Sequence, residues 1–462
     1  MRDATERAGR LLNELGEGSI GAIAYETAWT ARWATDTGER VFPLALQWLR
    51  RHQHADGSWG GAVPNPYDRL VSTLAALLAL RECTDDWAIA AVRAGTDYVR
   101  RHAGAWRGAP GELIGFELVA PYLVEQAQEH GLISLGHLPE LVRLREDKLA
   151  RLPSGMLERK PTGVLYSLEA ITGITSVAAL AKFQLADGSM ASNPAATGAL
   201  WASTGDPAAL DFLRHVAAAT PDGGMPAIYP IDVFEPAWVL YVLHRAGIVP
   251  ANADVHVERL AKVASRAEAG LGNSEVFPVP ESDDTAMVAI VLHAFGYEPQ
   301  PLLRALLRFE ADDRFLGFEH ERGAAVSANA RVLEALSLRP DGHGARIEKA
   351  SSFLLDMRED GAWWSDKWQV SPYYATAQVA FAMSRHLPRE LAGTWRWLLD
   401  GQHDDGSWGF DGGQPEETAY AVLALDALAS HFGPVPVACY RRANTYLRQH
   451  VDADTFAELW VS

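Results

Sequence analysis

The sequence predicts an all-helical protein made of repeated helices. Alanine and leucine dominate its apolar segments and favour helix, whereas runs of β-branched residues are few. In five segments the apolar residues recur at helical spacing, and several of these segments stop at a glycine, as helix C-termini often do. The five segments are 70–83, 238–247, 285–296, 375–387 and 418–433.

A turn motif recurs between these helical segments. It reads Gln-His-Ala-Asp-Gly-Ser-Trp-Gly at 53–60, Gln-Leu-Ala-Asp-Gly-Ser-Met at 184–190 and Gln-His-Asp-Asp-Gly-Ser-Trp-Gly at 402–409, with weaker copies at 222–224 and 360–363. Asp-Gly makes a tight turn, Gln can bond free backbone groups, and Trp packs between neighbouring elements. Such repetition indicates a helical repeat array, so the motif has a structural role rather than a chemical one.

Length and composition limit the functional classes. A chain of 462 residues is too long for one core and predicts two domains. The net charge of −18 argues against nucleic-acid binding, so an anionic substrate would need a local basic pocket. The two cysteines lie far apart, which fits a reduced cytoplasm and excludes a CxxC site. The charged N-terminus predicts no secretory signal, and no apolar run predicts a membrane span.

The sequence does not support a nucleotide-binding site or a common hydrolase site. Residues 16–21 spell GxGxxG but follow a helix-like run rather than a strand, which argues against a dinucleotide site. The sequence contains no P-loop motif, no HExxH and no GxSxG.

Three carboxyl groups fall within four positions at Glu281, Asp283 and Asp284, before a mostly apolar helix. The commoner interpretation is an acidic helix N-terminus whose side chains accept backbone N–H bonds. The alternative is a carboxylic acid kept protonated by crowding and an apolar environment, which could protonate an alkene. The two interpretations conflict, because a helix N-terminus favours the carboxylate anion.

The segment Glu-Ser-Asp-Asp-Thr-Ala-Met at 281–287 resembles the Asp-x-Asp-Asp-Thr-Ala-Met motif of class II diterpene cyclases, the copalyl diphosphate synthase family. Five further segments resemble family segments in the same order. They are Tyr-Glu-Thr-Ala-Trp at 25–29, Gly-Phe-Glu at 115–117, Ser-Asn-Pro-Ala-Ala-Thr at 192–197, Ile-Tyr-Pro-Ile-Asp-Val-Phe-Glu at 228–235 and Ser-Pro-Tyr-Tyr-Ala-Thr at 371–376.

This resemblance implies two α-barrel domains with the substrate cavity between them. One barrel would comprise residues 1 to about 18 and about 247–462 and carry the acid, and the other would be the insertion at about 19–246. Asp283 would be the general acid and Asp284 its support. Asn329 is the expected hydrogen-bond partner of the acid, with an alignment uncertain by about two positions and a helix-cap or surface role as the alternative.

The resemblance also implies substrate-binding residues. Lys148 and Lys367 fall on family lysines that hold the diphosphate, a role that suits a compact charge. Aromatic faces can stabilise a carbocation. The aromatic candidates are Trp368, Tyr373 and Tyr374, which follow from the resemblance, and Trp238, which is a further hypothesis; core packing is the alternative for each Trp.

The sequence departs from the family pattern at several positions. Glu281 replaces the first Asp and is one CH2 longer. Tyr166 and Ala227 replace a His–Asn pair that assists the final proton removal in ent-copalyl synthases, which argues against that product and suggests another base or a rearranged skeleton; Tyr166 is equally a packing candidate. The acidic Mg2+-associated motif is missing, with Glu112 and Glu117 as the remaining candidates for Mg2+.

The resulting hypothesis is a class II cyclase that converts geranylgeranyl diphosphate to a bicyclic labdane-, halimane- or clerodane-type diphosphate. The sequence contains no DDxxD motif, and its length predicts no room for a third domain that would ionise the ester. We therefore expect the diphosphate to be retained and a class I synthase or a phosphatase to act on the product. The alternatives are a farnesyl diphosphate cyclase with a drimenyl-type product, a less favoured squalene-type cyclase, and a non-catalytic α-barrel binding module.

Overall fold

The computed structural model describes residues 2–461 except 17, 19, 36, 110–112, 136–137, 154, 278, 320, 322, 324, 410–411 and 451–456. The described residues form two compact units. The first unit contains Met1–Gly16, Asp232–Glu275 and Pro280–Trp460, and the second contains Glu17–Ile231, Val276–Val279 and Val461–Ser462. Within the described part of the chain, no helix has the length and apolar character needed to span a membrane.

The second unit is helical apart from β1 (Ala22–Ile23) and β2 (Met225–Pro226), which form an antiparallel pair. Its helices are α2 (Ala24–Ala31), α3 (Pro43–Arg51), α4 (Pro66–Leu80), α5 (Asp86–His102), α6 (Phe116–Glu129), α7 (Pro139–Ala150), α8 (Met156–Arg159), α9 (Val177–Leu180), α10 (Pro194–Thr204) and α11 (Pro207–Ala219), with 3-10 helices at Gly163–Ala170 and Ala181–Phe183. The elements α2, α4, α6, Gly163–Ala170 and α10 pack in sequence, and α10 returns to α2 to close a ring.

The described residues of the first unit form α-helices and short 3-10 helices. The α-helices are α1 (Arg2–Glu14), α12 (Phe234–Arg245), α13 (Ala253–Ala264), α14 (Ser282–Ala294), α15 (Gln300–Leu306), α16 (Val326–Leu336), α17 (Gly344–Asp356), α18 (Pro372–Met383), α19 (Ala392–Asp400), α20 (Pro415–Phe432) and α21 (Val437–His450), and the 3-10 helices are Leu307–Phe309 and Pro388–Leu391. Helices α12, α14, α16, α18 and α20 pack side by side as an inner layer. The all-helical prediction is confirmed.

The limits of the units differ from the sequence-based bounds at Val276–Val279, which belong to the second unit, and over a longer stretch at α12. The resemblance assigned residues up to about 246 to the inserted domain, whereas α12 belongs to the first unit. The physical reason is packing, because α12 lies against α14 and contributes Ala237, Leu240 and Tyr241 to the same apolar core.

The recurring turn motif has the structural role that its residues predict. Asp56 accepts hydrogen bonds from the backbone N–H and the hydroxyl of Ser58 at 2.9 and 2.7 Å, and the later copies repeat this geometry at 187–189 and 405–407. Gln53 donates to the carbonyl oxygens of Gly57 and Ala91, which joins the turn to α5. Gly57 has φ +95°, and a Cβ there would lie 2.5 Å from a backbone oxygen, so glycine is required.

The tryptophans of the repeats are buried anchors. The indole N–H of Trp59 donates to the carbonyl of Leu49, and that of Trp408 donates to the carbonyl of Leu398. In the weaker copy at 360–363 the equivalent bond comes from Trp364, one residue beyond the motif, to the carbonyl of Leu354. These bonds satisfy free carbonyls near helix C-termini while the rings fill the core.

Candidate active site

The three carboxyl groups of the acidic segment lie at the start of α14 in the first unit. Every residue from 282 to 292 is buried, so the helix begins inside the core rather than at the surface. Glu281 and Asp283 are 8% exposed, and Asp284 is 0% exposed. The side chain of Asp283 retains 12% exposure. Asp283 is therefore the more accessible of the two aspartates. A side chain that acts directly on a substrate needs such access.

The helix-capping interpretation of these carboxyls is not supported. Glu281 is the N-cap residue, and its side chain accepts no capping hydrogen bond. The backbone N–H of Ser282 donates instead to the carbonyl of Gly317 at 2.9 Å. Among the described residues, no N–H or O–H donor reaches either oxygen of Asp284. The cluster is thus a buried set of acids beside a helix terminus whose first backbone N–H bonds to Gly317 rather than to a carboxyl group.

The carboxyl groups of Glu281 and Asp284 are buried next to each other and interact, and we call them the carboxyl pair. Burial, and then the charge of Asp284, raise the pKa of Glu281 well above its usual range. Burial is also the main cause that raises the pKa of Asp284 to about 7. Two neighbouring carboxyl groups without water around them cannot both ionise easily, so the raised pKa values keep a proton on the carboxyl pair near neutral pH. A proton is therefore stored beside Asp283.

The pKa of Asp284 predicts how stability depends on pH. In the unfolded chain the pKa of Asp284 is about 4, so between about pH 4 and 7 the native state binds a proton that the unfolded state does not. The free energy of unfolding therefore falls as pH rises through this window. We expect the free energy of unfolding in urea to fall more between pH 5 and pH 8 in the wild type than in Asp284→Asn, by a few kcal/mol (about 1.4 per pKa unit). If the free energy of unfolding depended on pH in the same way in both proteins, the raised pKa of Asp284 would be contradicted. The control is Asp313→Asn, which changes an exposed aspartate.

Asp283 is paired with Arg331 of α16, a residue that the sequence did not single out. Arg331 Nη1 donates to Asp283 Oδ1, and Arg331 Nη2 donates to the hydroxyl of Tyr374 at 2.8 Å. Arg331 is 1% exposed, so its charge is compensated by Asp283 rather than by water. Burial opposes the charge of the guanidinium, but the facing carboxylate raises the pKa of Arg331. The signal in the sequence is a lone arginine in an otherwise small and apolar helix start.

The expected role of Asn329 is wrong. Asn329 Oδ1 accepts from the backbone N–H of Phe315 at 2.8 Å, and its Nδ2 donates to the carbonyls of Phe315 and Ala325 at 2.9 Å each. All of its polar atoms are thus used to hold the loop before α16. Arg331 stands two positions further along the same helix, which is the size of the alignment uncertainty, and it takes the place beside the acid.

An aromatic cluster surrounds Arg331. It consists of Phe234, Trp238, Tyr374, Tyr420 and Trp460. The guanidinium carbon lies 4.7 Å from the Trp238 ring centroid and 5.9 Å from that of Tyr374. Trp238 and Tyr374, both predicted to bind substrate, therefore lie beside the acid. Burial raises the pKa of Tyr374 far above its usual range, so this hydroxyl stays neutral.

The other two predicted aromatics lie apart from this cluster. Tyr373 stacks on Trp397 with ring centroids 4.7 Å apart. The ring centroids of Trp368 and Phe318 are 6.4 Å apart, and the Lys367 ammonium lies 4.9 Å from the Trp368 ring centroid. Adjacent positions 373 and 374 point to different partners because successive residues of α18 face different sides of the helix.

Lys367 is buried and ion-paired within the first unit. Its ammonium donates to Glu321 and, at 3.3 Å, to the carbonyl of Gly323. Glu321 also accepts from the backbone N–H groups of Gly317 and Phe318. The neighbouring Asp366 accepts from the backbone N–H and hydroxyl of Ser327 at 3.2 and 2.7 Å. A diphosphate at Lys367 would therefore have to compete with Glu321.

Lys148 is paired with a predicted metal ligand in the second unit. Its ammonium lies 3.4 Å from Glu117, and Arg151 lies 3.9 Å from the same carboxyl oxygen. Glu112, the other candidate for Mg2+, lies outside the described residues. Over the described part of the chain, no three His, Cys, Asp or Glu side chains come together as a metal site. A single carboxylate between two cations does not suit Mg2+, which is bound through carboxylates and water or substrate oxygens.

Tyr166 and Ala227 occupy the second unit. The Tyr166 ring meets that of Phe277 edge-on at 4.8 Å. The carbonyl of Ala227 accepts from Asn193 Nδ2 at 3.0 Å, and the same Nδ2 donates to Glu26 at 2.8 Å. The side chain of Tyr166 thus packs against an aromatic ring, and the role of Tyr166 in proton removal stays a prediction.

Two of the segments that carried the resemblance are joined in this unit. Glu26 accepts from the backbone N–H of Ala195 at 2.6 Å, and Tyr25 donates to Glu169 at 2.6 Å. Burial raises the pKa of Glu26 well above its usual range and that of Glu169 to about 7. The motif at 25–29 therefore fixes α2 against α10 and the 3-10 helix Gly163–Ala170.

The sequence and the helical fold match those of known proteins, and the chain belongs to the class II diterpene cyclases. It is 35% identical over 476 residues to the type B diterpene cyclase of Mycobacterium tuberculosis, with 97% of this chain and 92% of that protein covered. It is 33% identical over 465 residues to the (+)-kolavenyl diphosphate synthase of Herpetosiphon aurantiacus, covering 90% and 85%.

A solved structure gives the same result for the fold. The ent-copalyl diphosphate synthase from Streptomyces platensis superposes with a TM-score of 0.81 at 29% sequence identity, over 99% of this chain and 95% of that one. No family model matches the sequence. The predicted fold of class II cyclases is confirmed, and so is the prediction of a diterpene cyclase.

Proposed function

We propose that this cyclase converts geranylgeranyl diphosphate to a bicyclic diterpenyl diphosphate of the labdane, halimane or clerodane type. The observation that carries the proposal is the accessible carboxyl of Asp283 beside a buried carboxyl pair that stores a proton. An unactivated alkene needs a strong acid in a site that excludes water, and the buried start of α14 supplies that environment. The relatives named as diterpene cyclase and kolavenyl diphosphate synthase support the C20 substrate.

The proposed reaction begins with proton transfer. The carboxyl pair passes its proton to Asp283, and Asp283 delivers it to the less substituted carbon of the terminal double bond. The π electrons of that bond form the new C–H bond, which leaves a tertiary carbocation. The π electrons of two further double bonds then close two carbon–carbon rings. Loss of a proton to a base forms a new double bond, so the reaction is an isomerisation and the diphosphate ester is untouched.

Individual residues of the chain have separate roles in this reaction. Arg331 holds the Asp283 carboxyl in a fixed position, which favours a productive approach to the alkene. Trp238 and Tyr374 contact the Arg331 guanidinium and help to hold it in place. The Tyr166 and Ala227 replacements argue against ent-copalyl diphosphate as the product and favour either another base for the final deprotonation or a rearranged skeleton. Mg2+ stays a prediction from the resemblance, and no step here passes through it.

The test is incubation of the full chain with C20 and C15 prenyl diphosphates, followed by phosphatase treatment and gas chromatography. The proposal expects a cyclic C20 alcohol after phosphatase treatment and no hydrocarbon without it. A cyclic product from farnesyl diphosphate alone would favour the drimenyl alternative. Linear alcohols from both substrates would show a binding module, and a hydrocarbon released without phosphatase would show that the ester is cleaved. The expected consumers of the product are a class I synthase or a phosphatase.

Lys148 gives a separate prediction about substrate binding. If its ammonium holds the diphosphate, Lys148→Gln removes an interaction present in both the bound substrate and the transition state. We expect KM for geranylgeranyl diphosphate to rise about tenfold or more while kcat stays within about twofold. Steady-state kinetics measure both constants, and Lys160→Gln, at an exposed lysine of the same unit, is the control. A normal KM in Lys148→Gln would remove this residue from the binding site.

A further inference from the structure

The C-terminal residues 457–460 are attached to the loop that precedes α18. Leu459 is buried, and its carbonyl accepts from the backbone N–H of Val370 at 2.8 Å. Trp460 pairs with Gln369 as an antiparallel β-bridge. The backbone N–H of Ala457 donates to Gln414 Oε1 at 3.4 Å. These bonds fix the backbone of Trp460 within the first unit.

The ring of Trp460 contacts three members of the aromatic cluster. Its centroid lies 5.2 Å from Tyr374, 5.7 Å from Trp238 and 6.0 Å from Phe234, and all three contacts are edge-to-face with interplanar angles of 64°, 88° and 88°. Edge-to-face geometry is favoured because the positive edge of one ring meets the negative face of the other. Three such contacts restrict the rotamers of the rings that they touch.

Two of these three rings hold Arg331. Trp238 lies face-on to the guanidinium, and the Tyr374 hydroxyl accepts its second N–H. The other end of the guanidinium binds Asp283. A continuous set of contacts therefore runs from Trp460 through Trp238 and Tyr374 to Arg331 and then to the acid. Each ring meets Arg331 from a different inner helix, α12 or α18, and Trp460 contacts both helices.

We propose that Trp460 is a positioning residue for the general acid: its ring fixes Trp238 and Tyr374, and through them it fixes Arg331 against Asp283. The proposal rests on the proposed function of Asp283. The alternative is that Trp460 only adds to the apolar core. Core packing alone would lower stability and leave the turnover of the folded enzyme unchanged.

The experiment compares Trp460→Leu, which keeps apolar volume without a ring, with Trp460→Phe, which keeps an edge-to-face partner. Small displacements of a catalytic group cost up to about 100-fold in rate, so we expect kcat of Trp460→Leu to fall about 10- to 100-fold with KM within about twofold. Trp460→Phe should recover most of this loss. Trp395→Leu is the control, because it makes the same change at a partly buried tryptophan that is not a member of the aromatic cluster. The Trp395 ring stacks on that of Phe432, with the ring centroids 5.8 Å apart.

A double-mutant cycle tests whether Trp460 acts through Arg331. In the Arg331→Met background, Trp460→Leu should cause little further loss of kcat, and the free energies of unfolding of the four proteins should also be non-additive. Additive effects, an unchanged kcat in Trp460→Leu, or a Trp460→Phe variant as impaired as Trp460→Leu would each overturn the proposal. Failure of the proposed function would be recognised separately, because the wild type would then form no cyclic product. The free energies of unfolding of the four proteins could still be compared in that case.

Discussion

Asp283→Asn is expected to lower cyclisation of geranylgeranyl diphosphate by at least about 10³-fold, because an amide cannot deliver the proton that starts the reaction. The substitution keeps the size and planar shape of the side chain, so helical circular dichroism should persist. Stability should fall by about 1–3 kcal/mol, since Arg331 loses its buried counter-charge. Product is measured by gas chromatography after phosphatase treatment, and stability by urea unfolding.

The matched control for this experiment is Asp313→Asn, which changes an exposed aspartate of the same unit that pairs with Arg314. It should leave both product formation and stability near wild type. A folded Asp283→Asn enzyme that still cyclises the substrate would refute the assignment of the acid. The proton would then have to come from Glu281 or Asp284, and Glu281→Gln would be the next variant to assay.

Arg331→Met is expected to have the largest effect on stability. Removing one partner of a buried ion pair costs about 3–5 kcal/mol, because the remaining charge is left uncompensated in the core. Arg331→Met removes the guanidinium that compensates the negative charge of Asp283, in a cluster that contains three carboxyl groups. We also expect kcat to fall about 100-fold, since the Asp283 carboxyl is no longer held in position. Unfolding in urea and steady-state kinetics measure the two effects.

The double variant Asp283→Asn/Arg331→Met separates stability from catalysis. Replacing both partners removes the uncompensated charge, so the double variant should be more stable than Arg331→Met alone although it remains inactive. Strict additivity of the two stability losses would show that Arg331 and Asp283 do not depend on each other in the folded protein. Arg339→Met, at an exposed arginine that pairs with Glu298, is the control for the loss of a positive charge.

The helical class and the role of the turn motif were accessible from the sequence because both depend on local rules. Helical spacing of apolar residues and the short-range bonds of Asp56 and Gln53 involve residues near one another in the chain. The acidic segment was visible for the same reason, since Glu281, Asp283 and Asp284 are close neighbours. The resemblance added the family, which the comparisons confirm.

The partners of the acid could not be found in this way. Arg331 and Asp283 are 48 residues apart, and Tyr374 lies 43 residues beyond Arg331. Alignment by motif put Asn329 beside the acid, and a difference of two positions on a helix turns a side chain to another face. Trp460 carried no signal, because a lone tryptophan near the chain end has no motif around it.

The sequence by itself determined the helical architecture, the repeat turns and the three clustered carboxyl groups. Only the tertiary structure decided which carboxyl is paired with a cation and which two share a proton. The physical reason is that charge state depends on burial and on neighbours brought in from distant segments. For Asp283 the neighbour is the guanidinium from α16, and for Glu281 and Asp284 it is each other in a buried environment.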